Sequence, residues 1–276
     1  MNLPFPYDFG GQTAVVTGGA RGFGLAFAEA LARAGSTVII ADLDQARGEI
    51  AAQGLASQGF SASFSTLDVR DPDRNHALAG EVVARHGRLD LWINNAGIAR
   101  HARSETLSAV DWSMQVDIML TGTFFGAQAA AQQMLTQGEG RIINIASVNG
   151  FLAQAGRAAY VAAKAGVVRL TEVLAAEWGP RGLIVNGIAP AVIMTDLVRA
   201  SIADGSARLD LYRDRSPMAR LGEPDEVVAA MLFLASRFAQ SINGHTLKVD
   251  GAWCADRYLP TGPEAPRTSQ ATDTTA

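Results

Sequence analysis

Short apolar runs alternate along the chain with longer segments in which apolar residues recur at helical spacing. The short runs predict strands at 13–17, 37–41, 61–67, 89–94, 140–146, 183–188 and 246–249. The longer segments predict helices at 24–34, 43–57, 72–86, 109–135, 158–178 and 224–236. Several runs are rich in Val and Ile with little polar alternation, which is typical of parallel strands buried on both faces. The pattern predicts an α/β fold, a doubly wound, seven-stranded parallel sheet with helices on both faces.

The domain organisation follows from the lack of an internal break in composition. The chain has 276 residues, a length that fits one large domain or two small ones. Strands and helices alternate without a linker up to about residue 258, whereas residues 259–276 are mostly Pro, Thr, Ser and Ala. We therefore predict one domain over residues 1–258 and a flexible C-terminal tail over residues 259–276.

Composition and charge exclude several classes of function. A net charge of −4 provides no broad attraction for nucleic acid or for an anionic membrane surface. No apolar run reaches the roughly 18 residues of a membrane-spanning helix, and the first residues do not resemble a secretory signal. Cys254 is the single cysteine, so no internal disulfide can form. We predict a soluble cytoplasmic protein with a small-molecule substrate and without nucleic-acid or membrane partners.

A glycine-rich turn follows the first predicted strand. Residues 17–24 read T-G-G-A-R-G-F-G and lead into the first predicted helix. Glycines in such a turn let the pyrophosphate of a dinucleotide approach the backbone N–H groups at a helix N-terminus. An ordinary strand-to-helix loop is the alternative. Asp42, which follows the second predicted strand, favours the dinucleotide site, because a carboxylate at this spacing can bind both hydroxyls of the adenosine ribose.

Two residues at this turn bear on the choice between NAD and NADP. A carboxylate at Asp42 repels the 2′-phosphate of NADP, whereas the guanidinium of Arg21 could pair with that phosphate. We give Asp42 the greater weight and predict NAD as the cofactor.

Further motifs follow the glycine turn in a characteristic order. They are Asp68-Val69 after the third predicted strand, Asn94-Asn95-Ala96-Gly97 after the fourth, Ser147 after the fifth, and Tyr160 and Lys164 in a Y-x-x-x-K motif. Residues 190–195 match P-G-x-x-x-T except for Ala191. With these motifs, residues 8–253 resemble the short-chain dehydrogenase/reductase family. The resemblance implies a Rossmann-like domain, a nicotinamide cofactor and hydride transfer between a secondary alcohol and a ketone.

The resemblance also assigns residues to the cofactor and implies a homotetramer. The cofactor set is Gly18, Gly22, Phe23 and Gly24 at the pyrophosphate, Arg21, Asp42 and Leu43 near the adenosine ribose, Asp68 and Val69 at the adenine, Asn95, Ala96 and Gly97 along the middle, Tyr160 and Lys164 beside the nicotinamide ribose, and Ile193 and Thr195 at the nicotinamide amide. The apolar predicted helices 109–135 and 158–178 suit a helix-pair interface between subunits.

Ser147, Tyr160 and Lys164 are the predicted catalytic residues. Tyr160 and Lys164 are four residues apart, so they share a helix face. A nearby ammonium and a positive nicotinamide would lower the tyrosine pKa from its usual value of about 10, so that Tyr160 serves as base in oxidation and as acid in reduction. Ser147 would bind the substrate oxygen. The motif alone also fits a solvated helix surface, but Ser147 and the complete cofactor set favour catalysis.

One position departs from the family pattern. The family carries an asparagine in a V-N-x-x-G-x-F context, and counting back from Gly122 places Met119 at that position. In the family, this asparagine supports a helix irregularity and a water that links the lysine to solvent. Methionine cannot form the same hydrogen bonds, although its backbone carbonyl could hold the water, so the proton relay is in doubt. Alternatively, Met119 only fills a gap in the core.

The candidate substrate residues are Ser147, Asn149, Gln154 and Tyr160. Asn149 and Gln154 suggest a polyol, a sugar or another small hydroxy compound, although such amides also bond to loop backbone. Arginines within residues 196–220 could grip an anion, but the interleaved aspartates are better explained by a solvated pair of charged helices. The alternatives are an NADPH-dependent 3-oxoacyl thioester reductase and an NAD-binding regulatory protein that is catalytically impaired by Met119.

The histidines and the cysteine complete the set of candidate reactive side chains. None of the four histidines pairs with Cys, Asp or Glu at a metal-ligand spacing, so we predict no catalytic metal. His101 follows the predicted cofactor loop and either edges the pocket or lies on the surface. Cys254 has no nearby base and no nucleophile motif in the sequence and is predicted to be a buried residue without a catalytic role.

Overall fold

The computed structural model describes residues 7–204 and 208–255. Its sheet consists of β1 Thr13–Thr17, β2 Thr37–Asp42, β3 Ala62–Thr66, β4 Leu91–Asn94, β5 Gly140–Ile145, β6 Leu183–Pro190 and β7 Thr246–Val249. The order is β3-β2-β1-β4-β5-β6-β7, and every neighbouring pair is parallel. The order reverses between β1 and β4, so the carboxyl ends of these strands form the crevice where doubly wound sheets bind ligands. The predicted fold class is confirmed, while the predicted tail, 259–276, lies outside the described residues.

Helices cover both faces of the sheet. They are α1 Gly22–Arg33, α2 Gln45–Ser57, α3 Pro72–His86, α4 Ala109–Val116, α5 Gly122–Gln137, α6 Ala158–Trp178, α7 Asp196–Ala203, α8 Leu209–Arg215 and α9 Pro224–Ala235. Successive side chains of a strand point to opposite faces, and in β1 Val16 joins the core beneath α1 and α9 while Val15 joins the core beneath α3 and α5. The apolar strands are therefore buried on both sides, as their composition predicts.

The helix predicted over residues 109–135 is wrong as a single α-helix. A π-helical turn, Asp117–Thr121, separates α4 from α5, and the Thr123 hydroxyl donates a hydrogen bond of 2.7 Å to the Met119 carbonyl. A π turn shifts the backbone hydrogen bonds by one residue, and Thr123 supplies an additional donor to that carbonyl. The apolar spacing continues through the turn, so the hydrophobic pattern does not show the break, although the family resemblance implies an irregularity at Met119.

Other element boundaries differ from prediction for local reasons. Helix α2 begins at Gln45 rather than at residue 43, because Asp44 accepts a hydrogen bond from Arg47 N and acts as its N-cap. Helix α1 begins at Gly22, two residues earlier than predicted, and β4 begins at Leu91, two residues later. Among the described residues, no helix is both long and apolar enough to cross a membrane.

Candidate active site

The glycine turn joins β1 to α1, and at Gly18 and Gly24 the neighbouring backbone leaves no room for a side chain. Gly18 has φ of +62°, and a Cβ at Gly24 would lie only 2.1 Å from the Gly18 carbonyl oxygen. Gly22 has φ of +56° and open space around it. No side chain caps the N-terminus of α1, so its first backbone N–H groups are available to an anion. This cradle fits the pyrophosphate of a dinucleotide.

Asn95 fastens the end of β4 to the same turn. Its side-chain amide donates to the carbonyl oxygens of Thr17 and Gly18 at 2.9 and 3.1 Å. The backbone N–H groups of Asn95 and Ala96 donate to the Thr17 hydroxyl at 3.0 and 3.2 Å. Asn95 therefore uses its side chain to hold the turn in shape, and the Cα of Ala96 borders Gly18.

Asp42 lies beside the glycine turn at the end of β2. One carboxylate oxygen accepts from Ala20 N at 3.0 Å, and the other accepts from Asp44 N at 3.0 Å. These bonds fix the carboxylate, and each oxygen retains a lone pair for a ribose hydroxyl. Leu43 is 63% exposed next to it. Arg21 is exposed on the other side of the turn, and no acid of the described residues forms an ion pair with it.

Asp68 and Val69 follow β3 and face different surroundings. The Asp68 carboxylate pairs with the Arg70 guanidinium, with Nη2 to Oδ2 at 2.6 Å, and this hydrogen bonding lowers the pKa of Asp68. Asp68 and Arg70 line an open cleft with Asp117 and Thr121. Val69 is buried instead. Its side chain packs so closely against Gly122 that a Cβ at Gly122 would lie only 2.8 Å away. Only Asp68 of the pair therefore presents its side chain to the cleft.

Ser147, Tyr160 and Lys164 are brought together at the end of β5. Ser147 follows the strand by two residues, and Tyr160 and Lys164 occupy successive turns at the start of α6. The hydroxyl groups of Ser147 and Tyr160 are hydrogen-bonded to each other. Lys164 Nζ lies 5.9 Å from the centre of the Tyr160 ring and donates to the Ile145 carbonyl oxygen at 2.6 Å. The arrangement places a proton donor or acceptor, a second hydroxyl and a buried amine in one cluster.

The electrostatics of this cluster differ from the sequence expectation. Burial raises the pKa of Tyr160, and the hydrogen bond from Ser147 and the charge of Arg157 offset this only in part. Burial also lowers the pKa of Lys164 to about 8. The expected decrease of the tyrosine pKa by Lys164 is therefore not found, because burial penalises both the phenolate and the ammonium. Before a cofactor binds, burial therefore favours the protonated form of Tyr160.

Met119 lies in the π turn next to the cofactor loop. Its side chain is fully buried, and a Cβ at Gly97 would lie 3.6 Å from Met119 Cγ. The helix irregularity is thus present without an asparagine. The Met119 carbonyl accepts a hydrogen bond from the Thr123 hydroxyl, and its binding of a relay water stays a prediction.

Ile193 and Thr195 follow β6. Ile193 is buried and forms an isolated parallel bridge with Gly222. Thr195 accepts from Val198 N and caps α7, while its own N–H donates to the Ile193 carbonyl oxygen at 2.8 Å. Both residues therefore stand at the sheet edge that carries the glycine turn and Ser147, as the sequence predicts for parallel strands.

Comparison with known proteins identifies the family. A family model described as enoyl-(acyl carrier protein) reductase matches residues 18–253. The chain is 41% identical to the D-threitol dehydrogenase of Mycolicibacterium smegmatis over 92% of its own length and 96% of the relative's. The chain belongs to the short-chain dehydrogenase/reductase family. This short-chain dehydrogenase/reductase is therefore an oxidoreductase of a small-molecule substrate that uses a nicotinamide cofactor.

Two further relatives show the range of chemistry around this short-chain dehydrogenase/reductase. A 3-oxoacyl-[acyl-carrier-protein] reductase of Aquifex aeolicus is 36% identical, over 87% of this chain and 96% of the relative. The crystal structure of a gluconate 5-dehydrogenase from Burkholderia cenocepacia, in complex with NADP and tartrate, is 37% identical. That structure matches with a TM-score of 0.86 over 91% of this chain and 98% of its own.

The candidate substrate residues of this short-chain dehydrogenase/reductase lie on the loop between β5 and α6 and in the first turn of α6, and this loop is hydrogen-bonded to the loop that follows β4. The Ala102 N–H donates to the Gly156 carbonyl oxygen at 3.1 Å. Asn149 is buried and donates from its amide to the Gln154 side-chain oxygen at 3.0 Å, while Gln154 is exposed. The two amides bond to each other rather than to loop backbone. His101 is exposed on the first loop, and burial of its ring followed by the charge of Arg157 lowers its pKa.

Most arginines within residues 196–220 for which contacts are described pair with acids or lie over an aromatic ring. Arg199 pairs with Glu223 at 3.0 Å, Arg220 pairs with Glu226 at 2.6 Å, and Arg208 pairs with Asp210. Arg215 lies over the Trp253 ring with 5.6 Å between the guanidinium carbon and the ring centre. These contacts fit the charged helices that the sequence predicts, although two of the acids come from the start of α9.

Sequence reasoning missed contributions that depend on backbone position. The Ile145 carbonyl that accepts from Lys164 has no side-chain signal, and the role of Thr123 depends on the π turn. Thr17, the first residue of the glycine motif, could have been found from its place before Gly18.

The described residues contain no group of three His, Cys, Asp or Glu side chains that could hold a metal ion. Burial, followed by Asp250, raises the pKa of the half-buried Cys254 thiol to about 12. Since the thiolate is the reactive form, this value argues against a nucleophilic role at neutral pH.

Proposed function

We propose that this protein is an NAD-dependent dehydrogenase that interconverts a secondary alcohol and a ketone. Its substrate is a polyol, a sugar or another small hydroxy compound. The observation that carries the proposal is the hydrogen-bonded pair Ser147–Tyr160 beside buried Lys164, at the same sheet edge as a glycine turn without side-chain obstruction. These residues supply an acid–base group next to a place for a dinucleotide.

The chain's own residues move the proton. In oxidation, the substrate hydroxyl binds between Ser147 and Tyr160, and the Tyr160 phenolate takes the hydroxyl proton. The hydrogen on the carbinol carbon leaves as hydride. A bound nicotinamide supplies the two-electron acceptor for that hydride. Lys164 lies one helical turn away, and its amine, with a pKa of about 8, can hold or release a proton near neutral pH. Reduction of the ketone follows the same path in reverse.

The test of this function is a dinucleotide reduction screen over secondary alcohols, polyols and sugars at neutral and alkaline pH. Hydride transfer to at least one hydroxy compound is expected. Tight NADH binding without turnover over the whole panel would instead favour the regulatory alternative suggested by Met119. Turnover of 3-oxoacyl thioesters with strong NADPH preference would favour the reductase alternative.

The preference for NAD rests on Asp42. The Asp42→Ala variant is expected to lose about tenfold or more in kcat/KM with NAD, because a ribose hydroxyl loses its charged acceptor. Its activity with NADP is expected to rise, because the repulsion of the 2′-phosphate disappears. Steady-state kinetics with both cofactors measures the ratio. Wild-type preference for NADP would contradict the proposal.

Asp44→Ala is the matched control, because Asp44 lies two residues further along and caps α2. Its loss is expected to cost about 1 kcal/mol of stability without changing the NAD-to-NADP ratio. An equal change of the ratio in both variants would show that disturbance of the α2 start, and not the Asp42 carboxylate, sets the preference.

We also propose a homotetramer working in the cytoplasm, formed by the single domain over residues 1–258. Three large apolar side chains support an interface on α4 and α6, namely Val110 at 69%, Trp112 at 43% and Val173 at 51% exposure. Light scattering is expected to give about four times the 29.0 kDa of one chain. A mass of one chain would contradict the tetramer.

A further inference from the structure

Arg157 places a positive charge directly at the reacting group. It immediately precedes α6, and its guanidinium carbon lies 5.8 Å from the centre of the Tyr160 ring. It is only partly exposed, and its charge acts on both Tyr160 and His101. Arg157 therefore borders the catalytic cluster and is only partly open to solvent.

No acid of the described residues balances this charge. Among the described residues, no carboxylate lies within ion-pair distance of Arg157. The arginines of the facing loop have acids of their own, since Arg100 pairs with Asp111 at 3.3 Å and Arg103 pairs with Glu105 at 2.7 Å. A partly buried guanidinium without an anion is costly, which makes this position stand out from its neighbours.

The chemistry of the position selects the ligand. A guanidinium binds a carboxylate with two parallel hydrogen bonds, and such charge-assisted bonds are stronger than bonds to neutral hydroxyls. The pyrophosphate cradle lies at the end of β1, whereas Arg157 borders the acid–base residue. An anion at Arg157 therefore belongs to the molecule whose hydroxyl reacts at Tyr160.

We propose that Arg157 binds a carboxylate of the substrate, so that the enzyme acts on polyhydroxy acids in preference to neutral polyols. This inference rests on the proposed dehydrogenase function and narrows its substrate class. Asn149 and Gln154 lie on the loop that leads to Arg157, where the free amide nitrogen of Gln154 can donate to a hydroxyl or carboxylate oxygen of the same molecule.

The test compares acids with neutral polyols of equal length. The pairs are D-threonate with D-threitol and D-gluconate with D-glucitol, assayed with NAD in wild type, Arg157→Met and Arg157→Lys. Wild type is expected to favour the acid of at least one pair. Arg157→Met is expected to lose about tenfold or more in kcat/KM for the acid relative to the polyol, mainly through KM, with partial rescue by Arg157→Lys.

The ratio of acid to polyol separates recognition from a general effect. Arg157 also lowers the pKa of Tyr160, so its removal is expected to slow both substrates of a pair through the acid–base step. Equal losses for acid and polyol would overturn the proposal, and so would wild-type preference for both polyols. Arg103→Met is the control, since Arg103 pairs with Glu105 and its side chain is 83% exposed, and it is expected to leave the ratio unchanged.

Binding gives a readout that does not need turnover. Calorimetric titration of D-gluconate and D-threonate into the NADH-saturated protein is expected to show binding of at least one acid in wild type and at least tenfold weaker binding in Arg157→Met. Absence of acid binding in wild type, or equal binding in the variant, would overturn the proposal. Failure of hydride transfer with every compound, together with Arg157-dependent acid binding, would instead refute the dehydrogenase function alone.

Discussion

Tyr160→Phe is expected to lower kcat for alcohol oxidation by about 10²- to 10⁴-fold, the usual contribution of a positioned acid–base group. The substitution removes one oxygen atom and retains the ring that packs beneath Arg157 and Lys164. NADH binding, followed by the fluorescence of the dinucleotide, is expected to change little. The loss therefore falls on kcat, as it does when an interaction made only in the transition state is removed.

The pH dependence of the wild-type rate tests the same role. Burial raises the pKa of Tyr160, and oxidation needs its deprotonated form. The oxidation rate at saturating substrate is therefore expected to increase from neutral to alkaline pH, whereas ketone reduction, which needs the protonated form, is expected to decrease. Tyr160→Phe is expected to flatten both profiles.

Tyr7→Phe provides the matched control, because Tyr7 packs against Phe9 and Phe238, apart from the catalytic cluster. It is expected to retain wild-type kcat. A Tyr160→Phe variant with more than a tenth of wild-type kcat would show that another group transfers the proton.

The fold was predictable where burial acts on whole strands. Val15 and Val16 are adjacent in the chain and both buried, each in a different core, and this two-sided burial produces the continuous apolar run that the sequence displays. The π turn was not visible in the hydrophobic pattern, although the family resemblance implies a helix irregularity at the Met119 position. Gly122 accommodates Val69, and Thr123 bonds to the Met119 carbonyl, and neither contact alters the apolar spacing of residues 109–135.

For the candidate site, the sequence indicated which side chains to consider but not their electrostatic surroundings. Asp42 and Ser147 stand at or just beyond strand ends, Tyr160 lies in the first turn of the following helix α6, and parallel strands bring their carboxyl ends to one edge. The direction of the Tyr160 pKa was not predictable, because a tyrosine and a lysine at helical spacing look the same on a solvated helix and on a buried one. Lys164 is only 5% exposed, and this burial, visible only in the structure, decides the electrostatics.

Gly24→Ala is expected to weaken NADH binding by about 10²-fold or more and to lower the melting temperature. A Cβ at this position would lie 2.1 Å from the Gly18 carbonyl oxygen and 2.6 Å from Asn95 Nδ2. The Gly18 carbonyl oxygen and Asn95 Nδ2 are hydrogen-bonded to each other and join the ends of β1 and β4, so the start of α1 has to move away from the turn. Overpacking of this kind costs about 1–3 kcal/mol even where flexible side chains can yield, and here the nearest atom is backbone. Fluorescence titration with NADH and thermal denaturation measure the two effects.

Gly54→Ala separates this clash from a general effect of replacing a helical glycine. Gly54 lies within α2, and a Cβ there meets nothing within 4 Å. Alanine has the higher helix propensity, so this variant is expected to gain up to about 1 kcal/mol of stability and to bind NADH as wild type does. Because φ at Gly24 is not in the left-handed region, the requirement for glycine at that position comes from space alone. Wild-type affinity in Gly24→Ala would mean that the helix start can shift without loss of the anion cradle, and that the close approach to Gly18 is not needed for cofactor binding.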